Sequence, residues 1–285
     1  MTGNVVIVGA PRSGTNILRD VLSAADGFAT WPCDEIPMIW RHGNRDLTHD
    51  EIAAESATPE VIGFVRHEFS KIGKRYDAHT VVEKTCATSL RLPFVHRILP
   101  DAKYIFIRRD GVDAAVSAAK RWRAEFNLKY TARKVRFIPP SDVPYYAARA
   151  AKSLLSRGGD SVGPTLEADW WGPKPADWRE LAAKYGELEM AFLQWKRCVD
   201  ATLTALESFP SDQVHEVVYE DFVVDPQAST RRILEFLGHG DLMRAELTAD
   251  VSIASVNKGR RLLTAQELDR LEQLADDTLS RLGYA

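Results

Sequence analysis

The stretch Val5-Val-Ile-Val-Gly-Ala-Pro-Arg-Ser-Gly-Thr-Asn16 decides the fold. Its first part, Val5–Val8, is a continuous apolar run, the pattern of a strand buried on both faces of a parallel sheet. The second part is a tight turn that opens a helix. Leu18, Val21, Leu22 and Ala25 recur at helical spacing until Asp26-Gly27 stops them. Residues 9–16 therefore lie at the carboxyl end of a strand and the amino end of a helix. Backbone N–H groups point outward there, and the helix dipole adds partial positive charge. Ser13, Thr15 and Asn16 add side-chain donors, and the Arg12 guanidinium can fork onto two oxygens. The turn reads as a cradle for an anion; taken without its context it would be a common glycine turn carrying a surface arginine.

Gly9 and Gly14 keep the spacing of Gly-x-x-x-x-Gly-Lys-[Ser/Thr], in which the lysine reaches the β/γ-phosphates of a nucleotide. Thr15 stands where that lysine would be, and the nearby cation, Arg12, lies inside the loop. A phosphate-like group other than a Mg-bound triphosphate is the expected ligand.

Working outward, further strands are expected at Thr80–Val82, Lys103–Ile107 and Val214–Tyr219. Helical stretches are expected near Thr48–Glu55, Pro59–Lys74, Leu90–Leu99, Gly111–Arg123 and Trp178–Ser208. Asp225-Pro226 starts another helix as cap and first residue, and Thr264-Ala-Gln-Glu267 is a capping box for the last one. Strands alternating with helices imply an α/β fold, a parallel sheet with helices on both faces. Ligands of such sheets bind outside the carboxyl ends of the strands. The chain of 285 residues is expected to be a single domain, with a variable segment at about 122–178.

The net charge of −3 does not point to nucleic acid, and no nucleic-acid partner is expected. Cys33, Cys86 and Cys198 have no metal-ligand spacing and read as buried thiols. No run of 18 apolar residues exists, and the first strand begins at once, so a cytoplasmic protein is the expectation.

The string Pro11-Arg12-Ser13-Gly14-Thr15 after a strand resembles the first signature of the sulfotransferases that use 3′-phosphoadenosine-5′-phosphosulfate (PAPS). That resemblance implies a three-layer fold like that of the P-loop-containing nucleotide triphosphate hydrolases, with Arg12, Ser13, Gly14, Thr15 and Asn16 on the 5′-phosphosulfate. A second signature of the family is an arginine at a strand end with a serine eight residues later, on the 3′-phosphate. Arg109 and Ser117 match it, and Arg121 matches a basic position of the tyrosylprotein branch. Lys258-Gly259 resembles a C-terminal segment that closes over the 3′-phosphate, with a solvated basic loop as the equal alternative. Tyr219 in Tyr219-Glu-Asp221 resembles a cofactor-touching strand end.

Sulfuryl transfer needs a base for the acceptor hydroxyl and positive charge on the moving oxygens. Arg12 suits the second task, and Lys84 can assist. The cytosolic branch carries Lys-Thr-His at this strand end with histidine as base; here Lys84-Thr85-Cys86 puts cysteine in that place. Trp31-Pro-Cys-Asp-Glu35 is similar to a tyrosylprotein sulfotransferase stretch with a glutamate base two residues after a cysteine. Glu35 is thus the first candidate, Asp34 the rival, and helix capping by both the third reading. No metal is expected. Residues 120–136 carry a charge balance of +6 with Trp122, Phe126 and Tyr130 interleaved, which reads as a solvated basic helix, a lid for an anionic acceptor or a peripheral contact with an anionic membrane. Trp170-Trp171 offers stacking surface for sugar rings. A glycan or glycolipid hydroxyl is the first expected acceptor, a small-molecule alcohol or phenol the second and a peptide tyrosine the third. The alternatives are a P-loop kinase and a non-catalytic nucleotide-binding module.

Overall fold

The computed structural model describes residues 3–122, 137–148 and 170–284. Five parallel strands form one sheet: β1 (Gly3–Val8), β2 (Phe28–Ala29), β3 (Thr80–Lys84), β4 (Lys103–Arg108) and β5 (Val214–Val218), in the order β2-β3-β1-β4-β5. The apolar run of β1 buries both faces. Val6 and Val8 enter a core with Trp31, Trp40, Phe69 and Phe94, while Val5 and Ile7 enter another with Leu18, Leu22, Phe222 and Ile233. Helices therefore cover the sheet on both sides, giving the three layers expected.

The helices are α1 (Thr15–Ser23), α2 (Pro37–Trp40), α3 (Pro59–Arg75), α4 (Leu92–Ile98), α5 (Gly111–Trp122), α6 (Trp178–Lys184), α7 (Glu187–Leu206), α8 (Tyr219–Val224), α9 (Pro226–Phe236) and α10 (Ala265–Leu282). Pro93 is tolerated in the first turn of α4, where its missing N–H has no helical partner to lose. The caps behave as read: Asp225 accepts from the Ala228 amide at 3.0 Å, and the side chains of Thr264 and Glu267 each accept from the other's amide.

Four local expectations are corrected. The stretch near Thr48–Glu55 is not an α-helix; only a 3-10 turn at Ala54–Ser56 forms, because Asp50 is drawn to Arg41 at 2.9 Å and to the Lys174 amide at 2.9 Å. The stretch Trp178–Ser208 breaks into α6 and α7 at Tyr185-Gly186, where Glu189 reaches back to the Gly186 amide at 3.0 Å and starts a new helix. Tyr219 opens α8 instead of closing β5. The two-residue β2 was not expected at all, being too short to carry a periodic signal. Most of the segment at 122–178, including the basic residues 123–136, lies outside the described residues; 143–148 are helical.

Since β3 and β4 flank β1 on opposite sides, the chain reverses its direction of winding at β1. A crevice opens at such a reversal, at the carboxyl ends of the strands.

Candidate active site

The crevice holds a cavity of about 630 Å³. Its walls contain Arg12, Gly14, Thr15, Asn16, Glu35, Lys84, Arg109, Ser117, Arg121, Tyr219, Lys258 and Gly259, so twelve of the thirteen expected site residues meet there. Ser13 is the exception. It lies fully buried under the turn, with its amide donating to the Ala10 carbonyl at 3.3 Å.

The turn between β1 and α1 needs two left-handed residues. Gly14 has φ 90°, and a Cβ there would meet the Tyr219 ring at 2.5 Å. Arg12 has φ 67°, an uncommon conformation for a residue with a side chain. It is held by its neighbours: Arg109 donates to the Arg12 carbonyl at 2.9 Å, and Arg12 Nε donates to Ser117 Oγ at 2.9 Å. The two signatures read separately from the sequence are thus bonded to each other. Arg109 also lies over the Tyr219 ring, 4.4 Å from its centroid. Arg109 Nε and Asn16 Oδ1 are buried with no hydrogen-bond partner among the described residues. Burial, then Arg121 and Arg109, lower the affinity of Arg12 for its proton. An anion between these cations would relieve both their desolvation and their repulsion.

Opposite them, α1 and β3 fix the Asp34-Glu35 segment. Arg19 donates to the Asp34 carbonyl at 3.1 Å, and the Ile36 amide donates to Thr85 Oγ1 at 3.1 Å. Glu35 Oε1 accepts from Lys84 Nζ at 3.0 Å and from the Cys86 amide at 3.2 Å. Burial works against the Lys84 ammonium, but the Glu35 carboxylate outweighs it and holds Lys84 charged. Burial pushes the Cys86 thiol up to about 11. Cys86 is therefore a neutral thiol at physiological pH and no base.

The chain matches the family model described as "Sulfotransferase family" over residues 4–165 and 167–240. It belongs to the sulfotransferase family. No curated protein sequence matches it. Solved structures share its fold. The sulfotransferase domain from the curacin biosynthetic pathway is 14% identical, with 100% of this chain and 99% of that one aligned and a TM-score of 0.58. The sulfotransferase domain from the Synechococcus PCC 7002 olefin synthase is 15% identical over 96% and 94%, with a TM-score of 0.52. Sulfotransferase STF9 from Mycobacterium avium is 13% identical over 98% and 76%, with a TM-score of 0.53.

The cavity of this sulfotransferase is also lined by residues beyond those thirteen. Asp50, Lys120, Asp113 and the Trp171-Gly-Pro173 turn line it. The turn is fixed by Gln194, which donates to the Trp171 and Pro173 carbonyls at 2.8 and 2.9 Å. Trp170, by contrast, is buried against Trp178 and Leu193, so it offers no surface to an acceptor. Among the described residues, no group of three or more His, Cys, Asp or Glu could hold a metal ion, and no helix is long and apolar enough to cross a membrane.

Behind the site, Glu83 is fully buried on β3 with both oxygens outside hydrogen-bonding geometry, although Thr85 and Trp40 face it. Burial raises its pKa to about 7. The folded state thus keeps a proton that the unfolded chain releases near pH 4.5. Stability falls as pH rises through the window from about 4.5 to 7 and stays at the lower level above it. Glu83→Gln removes that loss, about 3 kcal/mol at full extent. The expected result is a melting temperature several degrees higher at pH 8 and nearly unchanged at pH 4.5. Parallel profiles of the two proteins from pH 4.5 to 8 would mean that Glu83 is ionised throughout.

Proposed function

We propose that this sulfotransferase moves a sulfonate group from PAPS to a hydroxyl of a glycan, glycolipid or small molecule and releases adenosine 3′,5′-bisphosphate (PAP). The observation that carries the reading is the direct bonding of Arg12 to Ser117 and Arg109 in one cavity. It supports two anion grips within reach of a single nucleotide. The volume fits too, since ligand sites typically span about 300–1,000 Å³. The donor binds with its 5′-phosphosulfate on Arg12, Gly14, Thr15 and Asn16, at the amino end of α1. Its 3′-phosphate meets Arg109, Ser117, Arg121 and the Lys258-Gly259 segment, and Tyr219 backs the site. The buried Nε of Arg109 has no hydrogen-bond partner among the described residues, which supports an anion at this wall.

In the transfer step the acceptor oxygen attacks sulfur, and the bond from sulfur to the bridging phosphate oxygen breaks. The acceptor proton passes to the Glu35 carboxylate, and PAP leaves with the bridging electrons. Positioning and fixed charge supply most of the effect in such transfers. Lys84 holds Glu35 in place, and Arg12 neutralises the moving oxygens.

Calorimetry with PAP, followed by transfer of labelled sulfate from PAPS to a panel of hydroxyl compounds, tests the reading. Saturable one-site uptake of PAP and labelling that persists in EDTA are expected. A folded protein that ignores PAP overturns it. Turnover abolished by EDTA and dependent on a nucleoside triphosphate would establish a kinase instead, and PAP uptake with no labelled product a binding module.

A further inference from the structure

We infer that Asp113 makes the donor site specific for a 3′-phosphorylated adenylate, by clasping the Lys258-Gly259 segment onto α5; the inference rests on the donor reading above. Asp113 is 1% exposed, in the first turn of α5. Its Oδ1 accepts from the Gly259 amide at 2.6 Å and from the Arg260 amide at 3.2 Å. Its Oδ2 lies 3.4 Å from Arg109 Nη2, and the same Nη2 donates to the Ser255 carbonyl at 2.5 Å. One carboxylate thus holds the backbone of residues 255–260 against the arginine assigned to the 3′-phosphate, which brings Lys258 to the cavity wall.

The closeness of the clasp dictates a glycine. A Cβ on Gly259 would stand 2.7 Å from Asp113 Cα, 2.8 Å from Asp113 Oδ1 and 3.1 Å from the Val112 carbonyl. Two of those atoms are backbone and cannot yield. The chain after the clasp is anchored independently. Arg260 donates to Asp110 at 2.7 Å, to Glu272 at 2.8 Å and to the Tyr284 carbonyl at 2.9 Å. Losing Asp113 therefore frees the segment near Lys258 while leaving the C-terminal helix docked.

Simple electrostatics gives the opposite expectation. A buried carboxylate beside a phosphate site repels the ligand, so its removal should tighten binding. If Asp113 acts as a clasp, removal weakens binding, and only for ligands that carry the 3′-phosphate. Asp113 is thus a positioning residue acting through the Lys258-Gly259 segment.

Calorimetry with PAP and with adenosine 5′-monophosphate separates these outcomes. Asp113→Ala and Gly259→Ala are each expected to weaken PAP at least tenfold and to leave adenosine 5′-monophosphate within twofold. Lys258→Ala should also weaken PAP, and Asp113→Ala placed on top of it should add less than threefold, because both changes act through one segment. A wild-type preference for PAP that survives both variants overturns the role of Asp113 alone. Equal loss of both nucleotides in both variants makes Asp113 a general support of the fold and overturns it as well. Wild-type protein with no preference for PAP overturns the donor reading, and this inference with it.

Discussion

Arg12→Ala is expected to lower kcat/KM for sulfonate transfer about a thousandfold, near the upper end of losses for a single preorganised donor. The size follows from how much the structure invests in this side chain. Its backbone is held at φ 67°, and its carbonyl is fixed by Arg109. Its Nε is committed to Ser117, while its two Nη nitrogens have no hydrogen-bond partner among the described residues. A cation kept beside Arg109 and Arg121 destabilises the empty site and is compensated when an anion enters. The loss should fall mainly on kcat, because charge on the sulfonate oxygens changes most in the transition state. PAP, which lacks the sulfonate, should lose far less, about tenfold. Arg12→Lys keeps the charge but cannot both fork onto two oxygens and hold Ser117, so it should restore only part of the rate. Steady-state kinetics with labelled PAPS, alongside calorimetry with PAP, checks the division. Turnover of Arg12→Ala within threefold of wild type would remove this side chain from the chemistry.

What could be read in the sequence was local. β1, its turn and α1 are one contiguous signal in which apolar run, glycine spacing and helical period agree. Arg109 and Ser117 are eight residues apart on one strand–helix unit, so they too could be found without knowing the fold. What stayed hidden depends on distant partners. Asp113 looks like an ordinary acid in the first turn of a helix; its partner amide is 146 residues away. Asp50 gave no signal, because its bonds to Arg41 and to the Lys174 amide exist only after the chain has folded, and they also override the helical pattern around it. Trp170 and Trp171 are indistinguishable as a pair of letters. The structure separates them by packing the first against Trp178 and turning the second toward the cavity at Gly172, with φ 84°. Ser13 shows the converse: a residue inside a specific motif is fully buried, its Oγ without a hydrogen-bond partner among the described residues, and it does not line the cavity.

Glu35→Gln is expected to lower kcat by a hundredfold to ten-thousandfold, the usual contribution of a positioned base, with PAP affinity within threefold of wild type. The glutamine keeps the shape and can still accept from the Cys86 amide, but it cannot take a proton. The neighbouring carboxylate serves as the internal comparison. Asp34 is oriented by Arg19, with its carbonyl at 3.1 Å and its carboxylate at 3.7 Å from Nη1. It makes no bond to the end of β3, where Glu35 is held by Lys84 and Cys86. Asp34→Asn should therefore change kcat less than fivefold. Lys84→Met should act through Glu35: without the ammonium the carboxylate loses its orienting partner in a site where burial already penalises charge. In that variant the acidic limb of the pH–rate profile should move upward, since the paired lysine is what favours the ionised acid. Profiles of kcat from pH 5 to 9 for the wild type and the three variants decide the assignment. A nearly wild-type rate for Glu35→Gln beside a crippled Asp34→Asn would transfer the base to Asp34. An unmoved acidic limb in Lys84→Met would break the link between Lys84 and the carboxylate that takes the proton.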